Sequence, residues 1–260
     1  MRQKLYGYKR TASHEQCQRM IHICCLLIMG RGKRQKGRRR MKKYNTVIFD
    51  LDGTLLNTLK DLTDATNYAL EKYGQPQHSI EDVRKFVGNG IRKLIERALE
   101  GGEENPEFEH VFAAFKEYYG EHCNDTTCLY PGVEEIITSL KGQGYRLAIV
   151  SNKADFAVKE LQQIYFKGKI EVAIGEKDGI RKKPAPDTVM QALKELGSSR
   201  EEAVYVGDSD VDIATAANSG MPCISVTWGF RDVPFLKEHG ATHLAASAEE
   251  LYAILDEFNA

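Results

Sequence analysis

From Thr46 onward, short apolar runs alternate with stretches of helical spacing. The runs are TVIFD (46–50), YRLAIVS (145–151), IEVAIG (170–175), AVYVGD (203–208) and PCISVTW (222–228). Their near-continuous apolar character fits strands buried on both faces, as the strands of a parallel sheet are. Helical patterns lie between them. PGVEEIITSLKGQG begins at Pro131 and stops at Gly144, and PDTVMQALKELG runs from Pro186 to Gly197, with proline at the start and glycine past the end. Strands joined by helical crossovers predict an α/β fold built on a parallel sheet. Asp50, Ser151 and Asp208 close three of the runs, and open α/β sheets bind ligands at the carboxyl ends of their strands.

The stretch from Asn57 to Leu129 breaks this rhythm. It carries apolar residues at helical spacing (Leu62, Ala65, Ala69 and Leu70; Leu94, Ile95, Ala98 and Leu99; Phe108, Phe112, Phe115 and Tyr119) but no clear strand. About seventy residues are too many for a crossover. The pattern predicts a helical cap over 58–128, hinged near Asn57 and near Tyr130, inserted into an α/β core formed by 41–57 and 129–260.

Composition narrows the function. At 260 residues and 42% apolar content the chain has material for a sizeable core and is not wholly disordered. The net charge of -1 averages two unlike parts: residues 1–40 hold twelve Lys or Arg against the single acid Glu15, leaving 24 bases and 36 acids for 41–260. An acidic body is a poor match for nucleic acid, which needs clustered positive charge. The cysteines form no C-x-x-C pair and no zinc-type spacing with histidine, so neither disulfides nor structural zinc are expected, and the expected compartment is a reducing cytoplasm. Ile21 to Met29 is apolar but well short of the roughly 20 residues of a membrane span, and basic residues follow it. No membrane partner is expected.

GRGKRQKGRRR (30–40) contains only Gly, Arg, Lys and one Gln. Gly, Arg and Lys all have all-purine codons, so the run reads as a translated ribosome-binding site, with Met41 as the start and 1–40 as a basic, disordered tail that is a mis-assigned extension. A basic arm or a nucleic-acid patch are the other readings. Mass spectrometry of the native protein is expected to find no peptide from before Met41; one such peptide ends the idea.

The chemistry concentrates in VIFDLDGTL (47–55). A strand delivers Asp50 to its end, Asp52 follows two residues on, and Gly53 permits a sharp turn with close backbone approach to a ligand. Two such carboxylates repel each other and any phosphate dianion, so the arrangement asks for a hard divalent cation, Mg2+ being the natural one. One carboxylate then attacks phosphorus while the other handles protons. Asp50 is the expected nucleophile. Asp52 is the expected acid and base, a role needing a pKa raised from about 3.9 toward neutrality. A plain turn or a calcium loop is the alternative, disfavoured by the preceding strand and the lack of acids from 54 until Asp61.

The segment DLDGTL resembles the first motif of the haloacid dehalogenase superfamily of phosphatases. The resemblance covers 44–260 and implies a Rossmann-like parallel sheet core with helices on both faces and an inserted helical cap. It implies that Ser151 in AIVSN hydrogen-bonds the transferring phosphoryl group, that Lys183 in KKPAPD offsets charge between nucleophile and phosphate, and that Asp208 and Asp212 in VGDSDVD complete a metal site with Asp50 and Asp52. Alone, Ser-Asn after a strand is a helix cap, and a lone lysine is a solvated charge. Gly53, Thr54 and Asn152 join the implied substrate-binding set. FVGNGIRKLIERAL (86–99) is similar to the cap pattern of phosphoglycolate phosphatases; Gly88 and Gly90 flanking Asn89 would offer amides to a carboxylate and Arg92 would pair with it, the alternative being a loop that merely starts a helix. Many relatives carry Asp where this chain has Asn57, which bears on the hinge.

The expected function is Mg2+-dependent hydrolysis of a small phosphorylated metabolite, 2-phosphoglycolate first, by a monomer or homodimer. A phosphosugar mutase or a pyrophosphatase on the same fold are alternatives, and a phosphate-sensing or nucleic-acid-associated module is the non-enzymatic one. Asp52 argues against a dehalogenase.

Overall fold

A computed structural model describes residues 42–260; the basic tail read from the sequence lies outside them. The chain runs β1 (Thr46–Phe49), β2 (Leu56–Asn57), α1 (Leu59–Lys72), α2 (Ile80–Phe86), α3 (Ile91–Ala98), α4 (Phe108–His122), β3 (Cys128–Leu129), α5 (Val133–Gly142), β4 (Arg146–Ala154) and α6 (Asp155–Tyr165). It continues with β5 (Val172–Glu176), α7 (Asp187–Leu196), β6 (Ala203–Gly207), α8 (Asp210–Ser219), β7 (Cys223–Val226), α9 (Val233–Glu238), β8 (His243–Ala245) and α10 (Ala248–Glu257).

Six strands form one parallel sheet in the order β5-β4-β1-β6-β7-β8. β1 lies between β4 and β6, with Phe49 in register with both Ile149 and Val206. The two-residue period of a strand divides its side chains between two apolar layers. Val47 and Phe49 join Ile137, Leu140, Leu161 and Leu251 on one side, while Ile48 joins Tyr205, Val189, Leu193 and Ala216 on the other. Helices therefore cover both faces, and β1 is entirely buried, which explains why its sequence does not alternate.

The five strand segments read from the sequence are present, with two differences. β4 continues to Ala154, carrying Asn152 and Lys153 along a buried edge beyond Ser151. β8 was not expected, because three residues are too few to show a pattern. Among the described residues no helix is long and apolar enough to cross a membrane.

Residues 59–122 carry helices α1 to α4, and α1, α3 and α4 bury Leu62, Leu70, Leu94, Ile95, Val111 and Phe115 in an apolar cluster of their own. The chain enters and leaves this unit through a ribbon absent from the sequence reading, in which Leu56 pairs with Leu129 and Asn57 with Cys128, antiparallel. Asp61, in the first turn of α1, is 2% exposed and binds the returning chain: its carboxylate accepts from the backbone N–H and the hydroxyl of both Thr126 and Thr127. Removing this acceptor leaves buried donors without partners. Asp61→Ala is therefore expected to lower the stability seen in urea unfolding by about 3 kcal/mol, with Asp61→Asn between it and wild type; an unchanged midpoint in both would show the contacts to be idle.

Candidate active site

Asp50 follows β1, and its backbone N–H bonds Val206 O at 2.9 Å, so the sheet itself fixes the residue. The chain then turns sharply through Gly53, whose φ of +87° is unfavourable for a residue with a side chain. Close packing demands glycine there too: a Cβ on Gly53 would lie 2.4 Å from Asp208 Oδ2. Across the sheet, Asp208 follows β6 and Ser209 caps α8, with the Asp212 side chain reaching back to the Ser209 N–H at 3.1 Å. Two strand ends and one helix start thus converge.

One oxygen each from Asp50, Asp208 and Asp212 lies within 4.8 Å of the other two, and all three residues are buried. Lys183 binds the cluster, its Nζ 2.8 Å from Asp50 Oδ1 and 2.8 Å from Asp212 Oδ1, and it also donates to the Tyr205 hydroxyl at 3.1 Å. The three acids differ in what they have left to offer. Asp212 Oδ1 is held by Lys183 and Tyr205, and its Oδ2 accepts from Asp208 N, Ser209 N and Ser209 Oγ, so it acts as a brace. Asp208 accepts one bond per oxygen, from Thr54 Oγ1 at 3.1 Å and Phe230 N at 2.7 Å. Asp50 Oδ1 is buried with the Lys183 ammonium, 2.8 Å away, as its one close polar partner among the described residues. Three buried carboxylates this close, served by one ammonium, form a donor set that suits a hard cation with oxygen ligands, and Asp50 and Asp208 are the two that face the cavity.

The electrostatics agree. Burial, and then the charges of Asp212 and Asp208, push the Asp50 carboxyl well up, against the pull of Lys183. Burial and Asp212 push Asp208 up to about 7. Burial alone would lower Lys183, but Asp212 and Asp50 outweigh it and hold the ammonium charged.

Asp50, Asp52, Ser151, Asn152, Lys183 and Asp208 all line one cavity of ≈ 50 Å³. Its far wall comes from the helical unit: Leu62, Val87, Gly88, Gly90, Ile91 and Leu94. A larger open groove of ≈ 460 Å³ runs past Arg84, Lys85, Arg97 and Asp232 without reaching the three acids.

The structure places several other expected site residues as follows. Asp52, expected as a metal ligand, lies outside the three-acid cluster and directs Oδ1 to Lys153 Nζ at 2.9 Å. Arg92 does not face the cavity: Ile91 and Leu94 share that face of α3, and Arg92, one residue round the helix, bonds Glu103 and Glu109 over the Phe108 ring. The Asn89 side chain accepts from Arg97 at 2.7 Å and stays out of the cavity lining, unlike its neighbours Gly88 and Gly90. Thr54 and Gly53 support Asp208 and do not line the cavity. Asn152 does line it, but its amide is occupied clamping Lys183 N and O at 2.9 and 3.1 Å and Gly88 O at 3.2 Å.

The sequence reading missed Lys153, which lies two residues beyond Ser151 in the irregular part of β4, where Ser151, Asn152 and Lys153 all line the cavity. It missed Phe230 and Arg231, which line the cavity from the loop after β7. Arg231 donates to Arg84 O and Val87 O at 2.8 Å, and Arg84 answers with a bond to Gly229 O at 3.0 Å, tying that loop to α2. Gly229 is as constrained as Gly53, since a Cβ there would meet Asp208 Cβ at 2.3 Å.

These features fit what the chain is similar to. The profile of the haloacid dehalogenase-like hydrolases matches residues 47–226. Phosphoglycolate phosphatase 1 of Pseudomonas aeruginosa is 33% identical over 217 residues, covering 81% of this chain and 79% of that protein. The phosphoglycolate phosphatase of Chromobacterium violaceum is 31% identical, covering 83% and 98%. A crystal structure from Lactobacillus delbrueckii subsp. bulgaricus superposes with a TM-score of 0.78 at 40% identity, over 83% of this chain and 99% of that one. The chain belongs to the haloacid dehalogenase-like hydrolase family.

The raised acids set a pH dependence. Without metal, folded Asp208 holds its proton up to about pH 7, whereas unfolded Asp titrates near about 3.9. The folded state binds more protons across that window, so this contribution is fully present below about pH 4 and is lost as the pH rises through about 7. The melting temperature of chelator-treated protein is expected to fall across this upper range, and to fall less in Asp208→Asn; equal slopes in the two would contradict the placement of Asp208.

Proposed function

We propose that this protein is a magnesium-dependent phosphatase that hydrolyses a small phosphomonoester, 2-phosphoglycolate first among them, through an aspartyl-phosphate on Asp50. The observation that carries the reading is the convergence of Asp50, Asp208 and Lys183, buried together where Asp50 lines a cavity that also receives Asp52 and Ser151.

An Asp50 oxygen attacks phosphorus, the bond from phosphorus to the leaving oxygen breaks, and Asp52 gives that oxygen a proton. A water then attacks the same phosphorus, Asp52 takes its proton, and inorganic phosphate leaves a free Asp50. Lys183 offsets charge between carboxylate and phosphoryl group, and the Ser151 hydroxyl bonds the transferring oxygens. Magnesium, when bound by Asp50 and Asp208 with Asp212 bracing them, supplies the positive charge that lets a dianion approach these acids. The helices within 58–128 serve as the cap over a core of 42–57 and 129–260, and the loop at Gly88 and Gly90 presents backbone to the far end of the substrate. The curated relatives named phosphoglycolate phosphatase support the choice of substrate.

Phosphate release from 2-phosphoglycolate, sugar phosphates, nucleotides and pyrophosphate, with and without Mg2+, tests the reading. Wild type is expected to favour 2-phosphoglycolate and to need the metal. Asp50→Asn is expected to fall to background while melting no lower than metal-free wild type, since it removes a charge that burial disfavours. Turnover by Asp50→Asn equal to wild type would remove the nucleophile, and with it the mechanism.

A further inference from the structure

Lys153 is a buried cation that the mechanism above leaves unused. Its side chain is 2% exposed, in the part of β4 that runs past Ser151. Nζ donates to Asp52 Oδ1 at 2.9 Å and to the Tyr119 hydroxyl, and it lies 4.8 Å from the centre of the Tyr119 ring. Tyr119, 5% exposed, belongs to α4 and packs against Phe115 in the helical cluster. Asp52 is the one partly open member of the group, 14% exposed at its side chain and lining the cavity.

We infer that Lys153 is a positioning residue that fixes the Asp52 carboxylate for proton transfer, and that Tyr119 holds Lys153 in turn; the inference rests on the reading of Asp52 as acid and base. A carboxylate on a short side chain, free to rotate, would present its oxygens in several directions. Occupying Oδ1 leaves Oδ2, which has no hydrogen-bond partner among the described residues, as the oxygen that exchanges protons; an ammonium favours the ionised carboxylate, so what Lys153 contributes is direction. Because Tyr119 comes from the helical unit and Lys153 from the sheet, the acid is fully held only while α4 is seated against β4.

The test separates proton delivery from folding and from binding. 2-Phosphoglycolate and glycerol 2-phosphate release alkoxides that need a proton; p-nitrophenyl phosphate releases an anion stable without one. Lys153→Met is expected to lower kcat/KM by about 10²-fold on both alkyl esters and by less than about tenfold on p-nitrophenyl phosphate. Equal loss on all three, or no loss, overturns the inference. Loss confined to 2-phosphoglycolate makes Lys153 a contact to the substrate acid and also overturns it. If melting shows Lys153→Met to be unfolded, Tyr119→Phe decides, with a smaller loss but the same preference expected and an unchanged ratio of alkyl to aryl turnover counting against. Wild type inactive on every ester would instead sink the phosphatase reading itself.

Discussion

Three carboxylates share a volume that water barely reaches, with one ammonium among them. This crowding governs the rest of the structure. Burial disfavours each negative charge and the acids disfavour one another, so the site is tolerable only because Lys183 touches two of them and hydrogen bonds fill the oxygens of the third-line acid, Asp212. What remains uncompensated is concentrated on Asp50 and Asp208, the two that face the cavity. The fold therefore holds, at its strand ends, a stored demand for positive charge.

Meeting that demand needs short distances, and these depend on absent side chains as much as on present ones. Gly53 and Gly229 press on Asp208 from two chain segments, each too near to admit even a methyl group. Asn152 does its work at one remove: by gripping the Lys183 backbone on both sides it sets the ammonium's reach from a neighbouring strand. The Arg231 and Arg84 contacts carry the arrangement outward, so the loop that bonds Asp208 through Phe230 is also the one tied to α2.

Much of this was legible in the sequence because buried parallel strands leave so little freedom. A continuous apolar run ending in Asp states both the strand and the point where it stops, whereas β4 runs on past Ser151 to Ala154; Asp50, Ser151, Asp208 and Lys183 all line one cavity. What depended on side-chain direction was not legible. Arg92 carries the right charge in the right segment, yet helix geometry turns it away from Ile91 and Leu94. Lys153 sits in a strand extension with no apolar signature, and its partner Tyr119 lies 34 positions away, so their meeting is a tertiary event. The ribbon of β2 and β3 offers two residues per strand, too few for any periodic signal.

That ribbon has a consequence for how the two parts relate. A long inserted segment normally burdens its host with the entropy of bringing two distant ends together. Here the pairing of Leu56 with Leu129 and Asn57 with Cys128 closes the circuit at the neck, and Asp61 fastens it one turn further in. The sheet consequently meets the whole excursion as if it were a tight hairpin. Changes in its length can be absorbed beyond the neck, whereas Val87, Gly88 and Tyr119, each bonded to the sheet side, cannot be exchanged so freely.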